Sequence, residues 1–483
     1  MDLDADSCYR ALTTHDARFD GRFFVGVTST RIYCRPVCTV RTPRRDRCRF
    51  FSSAAAAEVE GFRPCMRCRP ELAPGLASVD ASARVAQAAV DLIESGVLEE
   101  GGVERLAARI GVTSRHLRRV FVAAFGVSPI DYAQTQRLLL AKRLLTDTAL
   151  PVTEIALSSG FQSVRRFNAL FQTRYRMAPG KLRQARVPGA LPDVLRFELA
   201  YRPPYALGAM LAFLRDRAIP GVEAVGAHSY ARTLAIAHRG ATHTGTVEVR
   251  HARRKAALSV SLSASFARVV PLALARVRHA FDLACDPAEI DEHLGALAAA
   301  HPGLRVPGTF DAFELAVRAI VGQQVSVRGA RTLLGRIVRD HGGEAPLPAL
   351  PDGGDAPLRL FPTAAALAAA GVPALVRCGL TSARARTVAT LAEAMADGTL
   401  ALAPGGDVAA ALAQLQALPG IGPWTAHYIA MRALRWPDAF LANDLIVLRA
   451  MGETKPARAE ARSAAWSPWR AYAVMHLWKG AIP

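Results

Sequence analysis

The sequence predicts a multidomain chain: a small cysteine-stapled α/β domain, an all-α domain, an α+β domain on an antiparallel sheet, and a second all-α domain. Three observations predict it. Six of the eight cysteines, Cys8, Cys34, Cys38, Cys48, Cys65 and Cys68, fall before residue 70. Apolar residues recur with helical spacing over roughly 82–186, switch to period two from Val194, and return to helical spacing after Pro302. Pro- and Ala-rich stretches at Pro74 to Ala81 and Ala185 to Pro192 read as linkers. The boundaries that follow are 1–76, 82–186, 192–302 and 303–483. At ~150 residues per domain the 483 residues suggest about three, so some of these units are small.

Composition narrows the class. The chain is 51% hydrophobic, enough for several cores, and carries a formal net charge of +19. That excess points to a polyanion partner. No apolar run approaches the ~20 residues of a membrane span. The polar start MDLDADSCYR is no signal peptide. The expectation is an intracellular protein without membrane attachment, whose cysteines stay out of disulfides.

Within the first domain, Cys34-x3-Cys38 and Cys65-x2-Cys68 form two close pairs around a basic, turn-rich stretch. Each pair can chelate from one turn, which is the spacing of a four-cysteine zinc site. A segment this short needs such a staple to fold. Cys8 and Cys48 read as ordinary thiols. The stretches FDGRFFVGVTSTRIYCRPVC and FFSSAAAAEVEGFRPCMRCRPE resemble the N-terminal zinc domain of the Ada family of alkylation-response proteins. The resemblance implies one Zn²⁺ held by Cys34, Cys38, Cys65 and Cys68. It further implies that Cys34 takes a methyl group from a DNA methylphosphotriester. At Ser29-Thr30-Arg31 the chain departs from the Thr-Thr-Gly of relatives.

In the second domain, LAARIGVTSRHLRRVFVAAFG reads as helix, Gly111-Val112-Thr113 turn, helix, with Ser114 as the expected N-cap. Arg115, His116, Arg118 and Arg119 fall on the polar side of the second helix, while Leu117, Val120 and Phe121 face inward. The pattern returns in VTEIALSSGFQSVRRFNALFQTRY, where Gln162, Ser163, Arg165 and Arg166 begin the second helix. Two such units joined by TQRLLLAKRLL resemble AraC-type DNA-binding domains. The implied role of both residue sets is reading DNA at promoter sites.

The third domain, in which VLRFELAYRPPY, SYARTLAIA, GTVEVRHA and AALSVSLSA alternate around the helical LGAMLAFLRDRAI, carries no chemical motif of its own. It resembles the N-terminal domain of AlkA glycosylases and is expected to act as scaffold. In the fourth, FDAFELAVRAIVGQQVSVRGARTLLGRIV breaks near Gly322, and the Pro/Gly-rich stretch His341 to Pro362 reads as a surface loop.

The stretch from Leu418 to Asp444 carries the most chemistry. Pro419-Gly420-Ile421-Gly422 is a tight glycine turn able to offer backbone N–H groups to a phosphate. A helix follows with Trp424, Tyr428 and Met431 on one face, and Pro437 stops it. Asp444 then heads the apolar run LIVLRAM, either as a helix cap or as a catalytic acid. With WSPWRAYAVMHLW this stretch resembles the helix-hairpin-helix glycosylases of the AlkA branch. The resemblance implies that the hairpin, with Gly420 and Gly422, grips the DNA backbone. It implies that Asp444 is the catalytic carboxylate and that Trp424, Tyr428 and Trp478 line the cleft for the base. Trp466 and Trp469 are expected in the core.

The reaction expected is hydrolysis of the N-glycosidic bond of 3-methyladenine and other alkylated bases, a DNA-3-methyladenine glycosylase II activity. Trp424 stands where related lyases carry a lysine, so Schiff-base strand cleavage is not expected. Cys285 and Cys378 are isolated, so no iron–sulfur cluster is expected. No Pro-Cys-His-Arg motif occurs, so the O6-alkylguanine transferase module is missing. Gln324 stands where some relatives insert a leucine into DNA, and Asn443 replaces a second acid. The sequence thus reads as a glycosylase fused to a methyl acceptor and transcriptional activator. It would be a cytoplasmic, nucleoid-associated monomer working on double-stranded DNA and with RNA polymerase. The alternative is a regulator whose glycosylase half only binds DNA.

Overall fold

The apolar alternation at the N-terminus is spent on one small sheet. Phe24–Val27 pairs antiparallel with Cys48–Phe51 on one side and Ile32–Cys34 on the other. Ile32–Cys34 in turn pairs in parallel with Arg63–Pro64. Phe24, Tyr33, Phe51 and Phe62 fill the face of this sheet, together with Leu139 from the all-α domain. The computed structural model describes the chain except residues 1–3, 17–18, 71–72, 74–80, 95, 149, 183–193, 253–254, 346–358, 405–406 and 482–483. The two expected linkers and most of the His341 to Pro362 loop lie outside the described residues.

The described residues form two compact units. The first comprises Met1–Pro203, His251–Ala275 and Leu283–Asp286; the second comprises Pro204–Arg250, Arg276–Asp282 and Pro287–Pro483.

Inside the first unit, helices Ser114–Phe125 and Val164–Tyr175 are the second helices of the two turn motifs, and Pro129–Asp147 is the long helix between them. Leu117, Val120, Phe121 and Phe125 are buried on the first of these, and Phe167, Phe171 and Tyr175 on the other. The N-cap of Ser114–Phe125 is Thr113, not Ser114: the Thr113 side chain accepts from the His116 N–H at 3.2 Å. Both residues are good caps, and the extended ψ of 149° at Thr113 decides which one lies outside the helix. Ser163 caps the other helix as its Oγ accepts from the Arg166 N–H. Strand Val194–Ala200 pairs antiparallel with Ala257–Ser263 over its full length.

In the second unit, Glu223–Val225, Ser229–His238 and Ala241–His251 make an antiparallel meander. The short first strand is not signalled by the sequence pattern. Helices Ala312–Val321, Val327–His341, Ala364–Arg377, Ser382–Ala396 and Pro423–Ala433 surround one apolar core, which includes Ile320, Val388, Ile429 and Ala430. Trp469 is buried and Trp466 half-buried. Among the described residues no helix is long and apolar enough to cross a membrane.

Candidate active site and thiolate cluster

Asp444 is the N-cap of the short helix Leu445–Ala450, so its Oδ1 accepts from the N–H groups of Ile446 and Val447, each at 3.0 Å. Oδ1 also accepts from Trp478 Nε1 at 3.1 Å, while among the described hydrogen bonds Oδ2 accepts from Trp424 Nε1 alone, at 3.0 Å. Three donors saturate one oxygen, and the other keeps a lone pair for a further positive partner. Cap and candidate catalytic acid are thus the same side chain.

The carboxylate opens onto a cavity of about 420 Å³ lined by Trp424, Tyr428, Trp478 and Phe213 among others. Trp424 and Tyr428, one helical turn apart, stack at 5.1 Å with their planes 9° from parallel. Trp478 lies 6.4 Å from Tyr428 and is stacked with Phe213. The structure therefore brings Asp444 together with Trp424, Tyr428 and Trp478, the three residues that the sequence assigns to the cleft. It adds Phe213, Arg217 and Arg432, which sequence reasoning missed. The Arg217 guanidinium lies 3.8 Å over the Phe213 ring, and that of Arg432 lies 5.3 Å over Tyr428 and donates to its hydroxyl. Burial would push the Tyr428 phenol up, but Arg432 and Arg217 outweigh it and hold it below its ordinary value.

Deeper in the cavity, Arg232, Glu314, Arg318 and Glu223 form a buried, charge-balanced network. Arg232 meets Glu314 at 2.6 Å, and Arg318 reaches Glu314 at 2.6 Å and Glu223 at 2.5 Å. Burial alone raises the Glu314 carboxyl, yet the two arginines hold it at about 2. The network fastens the meander to helix Ala312–Val321 and so fixes the wall behind the aromatic rings.

At the hairpin, Gly420 has φ +89, and a Cβ there would stand 2.1 Å from Thr387 Oγ1. Gly422 is the N-cap and Pro423 the first residue of the helix, while Ile421 anchors the turn in the core. Gln323 bridges this turn to the loop before it, donating to Gly420 O and to Thr425 Oγ1, each at 3.0 Å. The neighbouring Gln324 is exposed, with φ +52.

In the other unit, the parallel pairing of Ile32–Cys34 with Arg63–Pro64 sets Cys34 and Cys65 side by side. Tight turns bring back Cys38 and Cys68, and all four sulfurs lie within 4.8 Å of one another. Zn–S bonds of about 2.3 Å in a tetrahedron put sulfurs about 3.8 Å apart, so this donor set fits Zn²⁺. Backbone N–H groups of Arg35 and Arg67 point at Cys68 and Cys65, at 3.3 and 3.4 Å. Val40 serves Cys38 in the same way. Among the described hydrogen bonds none brings a backbone N–H to Cys34. Arg31, in the position where relatives carry glycine, takes φ +55.

Comparison with known proteins fits this arrangement. A probable bifunctional transcriptional activator/DNA repair enzyme AlkA of Mycobacterium tuberculosis is 39% identical, over 99% of this chain and 97% of its own. The chain belongs to this AlkA family of bifunctional transcriptional activator/DNA repair enzymes.

Three family models match the AlkA-family chain: the metal binding domain of Ada over residues 7–71, a helix-turn-helix domain over 106–185, and the AlkA N-terminal domain over 196–311. DNA-3-methyladenine glycosylase 2 of Escherichia coli is 39% identical over 58% of this chain and 96% of its own. A 3-methyladenine DNA-glycosylase structure from Archaeoglobus fulgidus covers 59% of this chain and 98% of its own, with 20% identity and a TM-score of 0.48.

The residues that the sequence assigns to DNA reading are mostly at the surface. Arg115, Arg118, Arg119, Gln162, Ser163, Arg165 and Arg166 are exposed and His116 is half-buried. Arg118 pairs with Glu104 at 2.8 Å, and Arg119 meets His116 Nδ1 at 3.2 Å. Both contacts sit at the surface, where they are worth little against a phosphate.

Proposed function

We propose that this AlkA-family chain hydrolyses the N-glycosidic bond of 3-methyladenine and related alkylated bases in double-stranded DNA, and that its other half accepts methyl groups and activates transcription. The observation that carries the glycosylase reading is Asp444, tied to two cavity tryptophans with one lone pair left on Oδ2. A nucleotide turned out of the stack would set its cationic base among Trp424, Tyr428 and Trp478. As the C1′–N bond breaks, its electron pair leaves with the base, which departs neutral. Positive charge grows on the sugar, and Oδ2 stabilises it. Water adds to C1′ and gives up a proton. The hairpin, with Gly420 and Gly422, grips the phosphates. Without an amine at Trp424, the enzyme is a monofunctional glycosylase.

For the second half, zinc supplies ionised yet nucleophilic thiolates. The Cys34 sulfur attacks the methyl carbon of a methylphosphotriester, and the phosphodiester leaves with the C–O electron pair. Four thiolates and a dication carry −2, and one thioether reduces this to −1. Repulsion from phosphates falls, so repair raises affinity for promoter DNA read by Arg115, His116, Arg118, Arg119, Gln162, Ser163, Arg165 and Arg166. The reading includes one zinc per chain, no iron–sulfur cluster, a monomer, and RNA polymerase as partner in the cytoplasm, near the nucleoid.

The test is release of 3-methyladenine from alkylated duplex DNA by wild type and Asp444→Asn. Asparagine caps helices as well as aspartate, so the variant keeps its fold. Loss of the charge is expected to slow release by about 10²–10³-fold or more. Equal release by the two removes Asp444 from the mechanism. Binding of alkylated DNA by wild type without release would establish the regulator-only alternative.

A further inference from the structure

We infer that Leu445 is the residue that fills the gap in the base stack when a nucleotide turns into the cavity, a role that rests on the glycosylase reading above. At 78% exposure, Leu445 is the most exposed large hydrophobic residue among those described. It opens helix Leu445–Ala450 directly after Asp444, and the next residue, Ile446, is 40% exposed and lines the cavity. Val327, at the start of helix Val327–His341, is 43% exposed and lines the same cavity. A lone exposed leucine means little, but Leu445 stands in the chain between Asp444 and Ile446, both of which line the cavity.

Charge identifies what covers this tip. Arg328 adjoins Val327, Arg449 lies one turn beyond Leu445, and Lys479 adjoins Trp478 at the cavity; all three are exposed. An apolar tip on an element that also carries an exposed cation, beside a cavity lined by another, suits the gap between stacked bases flanked by phosphates. Asp444 is fixed by four N–H donors, so the backbone that carries Leu445 is fixed beside the sugar site. Gln324, the residue at the wedge position of relatives, is also exposed and rigidly backed by Gln323. Its amide would lose hydrogen bonds to water between two base faces, whereas the Leu445 side chain gains by leaving water. Leu445 contributes almost nothing to the core at this exposure, so its replacement tests DNA engagement and not folding.

The experiment compares wild type, Leu445→Ala, Leu445→Met and Gln324→Ala. Single-turnover release of alkylated base is measured from duplex and from single-stranded DNA, where no stack gap forms. In parallel, a duplex with a tetrahydrofuran abasic site beside 2-aminopurine reports insertion by fluorescence, without hydrolysis. Leu445→Ala is expected to slow release from duplex about ten- to a hundredfold, the size of one leucine side chain's burial. It should leave single-strand release and thermal melting unchanged and abolish the fluorescence change, and Leu445→Met should restore both. A full fluorescence change in Leu445→Ala, or its loss in Gln324→Ala alone, overturns the assignment. Failure of the wild type to release base would count against the glycosylase reading, while the fluorescence comparison would still decide Leu445.

Discussion

Gly420 and Arg31 both occupy the left-handed region of backbone space, with opposite tolerance for a side chain. At Arg31 the chain accepts the strain, about 1–2 kcal/mol for a residue with a Cβ. The guanidinium packs 5.3 Å over the Phe62 ring, which offsets part of it. The turn beside Cys34 is therefore kept without the glycine of relatives: the Arg31 N–H still donates to Val27 O at 2.9 Å. At Gly420 no such accommodation exists. Thr387 Oγ1 would lie 2.1 Å from an added Cβ, and that hydroxyl is committed to Pro419 O and Ala383 O. Gly420→Ala is expected to cost about 2–4 kcal/mol from strain and overpacking together. Urea unfolding measures the loss. Affinity for undamaged duplex should fall with it, because the same turn presents the hairpin amides. Wild-type stability in this variant would contradict the geometry of the turn.

Among the elements, helix Pro129–Asp147 does more than join the two turn motifs. Its Leu139 completes the core of the zinc-domain sheet, its Lys142 donates to Cys65 O at 3.3 Å, and its Thr135 donates to Glu58 at 3.1 Å. Tyr33, next to Cys34, donates to the other oxygen of Glu58 at 2.9 Å. Burial pushes the Glu58 carboxyl up to about 7, against the pull of these hydroxyls and of Arg174 and Tyr175 nearby. A raised folded value means that the favourable contribution is complete below the unfolded value of 4.5 and is lost as pH rises through about 7. Glu58→Gln is expected to be more stable than wild type at pH 8, by up to about 3 kcal/mol, with the gap narrowing as pH falls below 7 and closing only near 4.5. Calorimetry across that range checks it; parallel curves would refute it. None of this docking was legible in the sequence, and the reason is physical. Periodicity reports which face of an element is buried, as it did for Leu117 and Phe121 or for the strands from Val194 to Ser263. It does not report the partner across a long loop. Phe213 and Arg217 sit some two hundred residues before Trp424, and the Arg232–Glu314 pair reads in sequence as two ordinary charges. Asp444, Trp424 and Trp478 were singled out through the resemblance of their motifs to the AlkA-branch glycosylases, and the structure sets all three at one cavity.

For the whole molecule, the +19 charge and the two compact units bear on whether its activities can be separated. Structural zinc contributes about 10–16 kcal/mol of binding free energy in small cysteine sites, more than a small domain's own stability. Chelation should therefore unfold the sheet that carries Cys34 and uncover Leu139, Thr135 and Lys142 on the long helix. Promoter binding should weaken with it. The cavity around Asp444 draws its walls and core from the other unit alone, so base release should survive. Holoprotein incubated with methylphosphotriester DNA should gain one methyl on the Cys34 peptide by mass spectrometry, and chelated protein none. Release of 3-methyladenine by the same two samples should agree within experimental scatter. If release instead fell in step with zinc loss, the glycosylase would depend on the sensor's folded state, and one metal would govern both responses to the same damage.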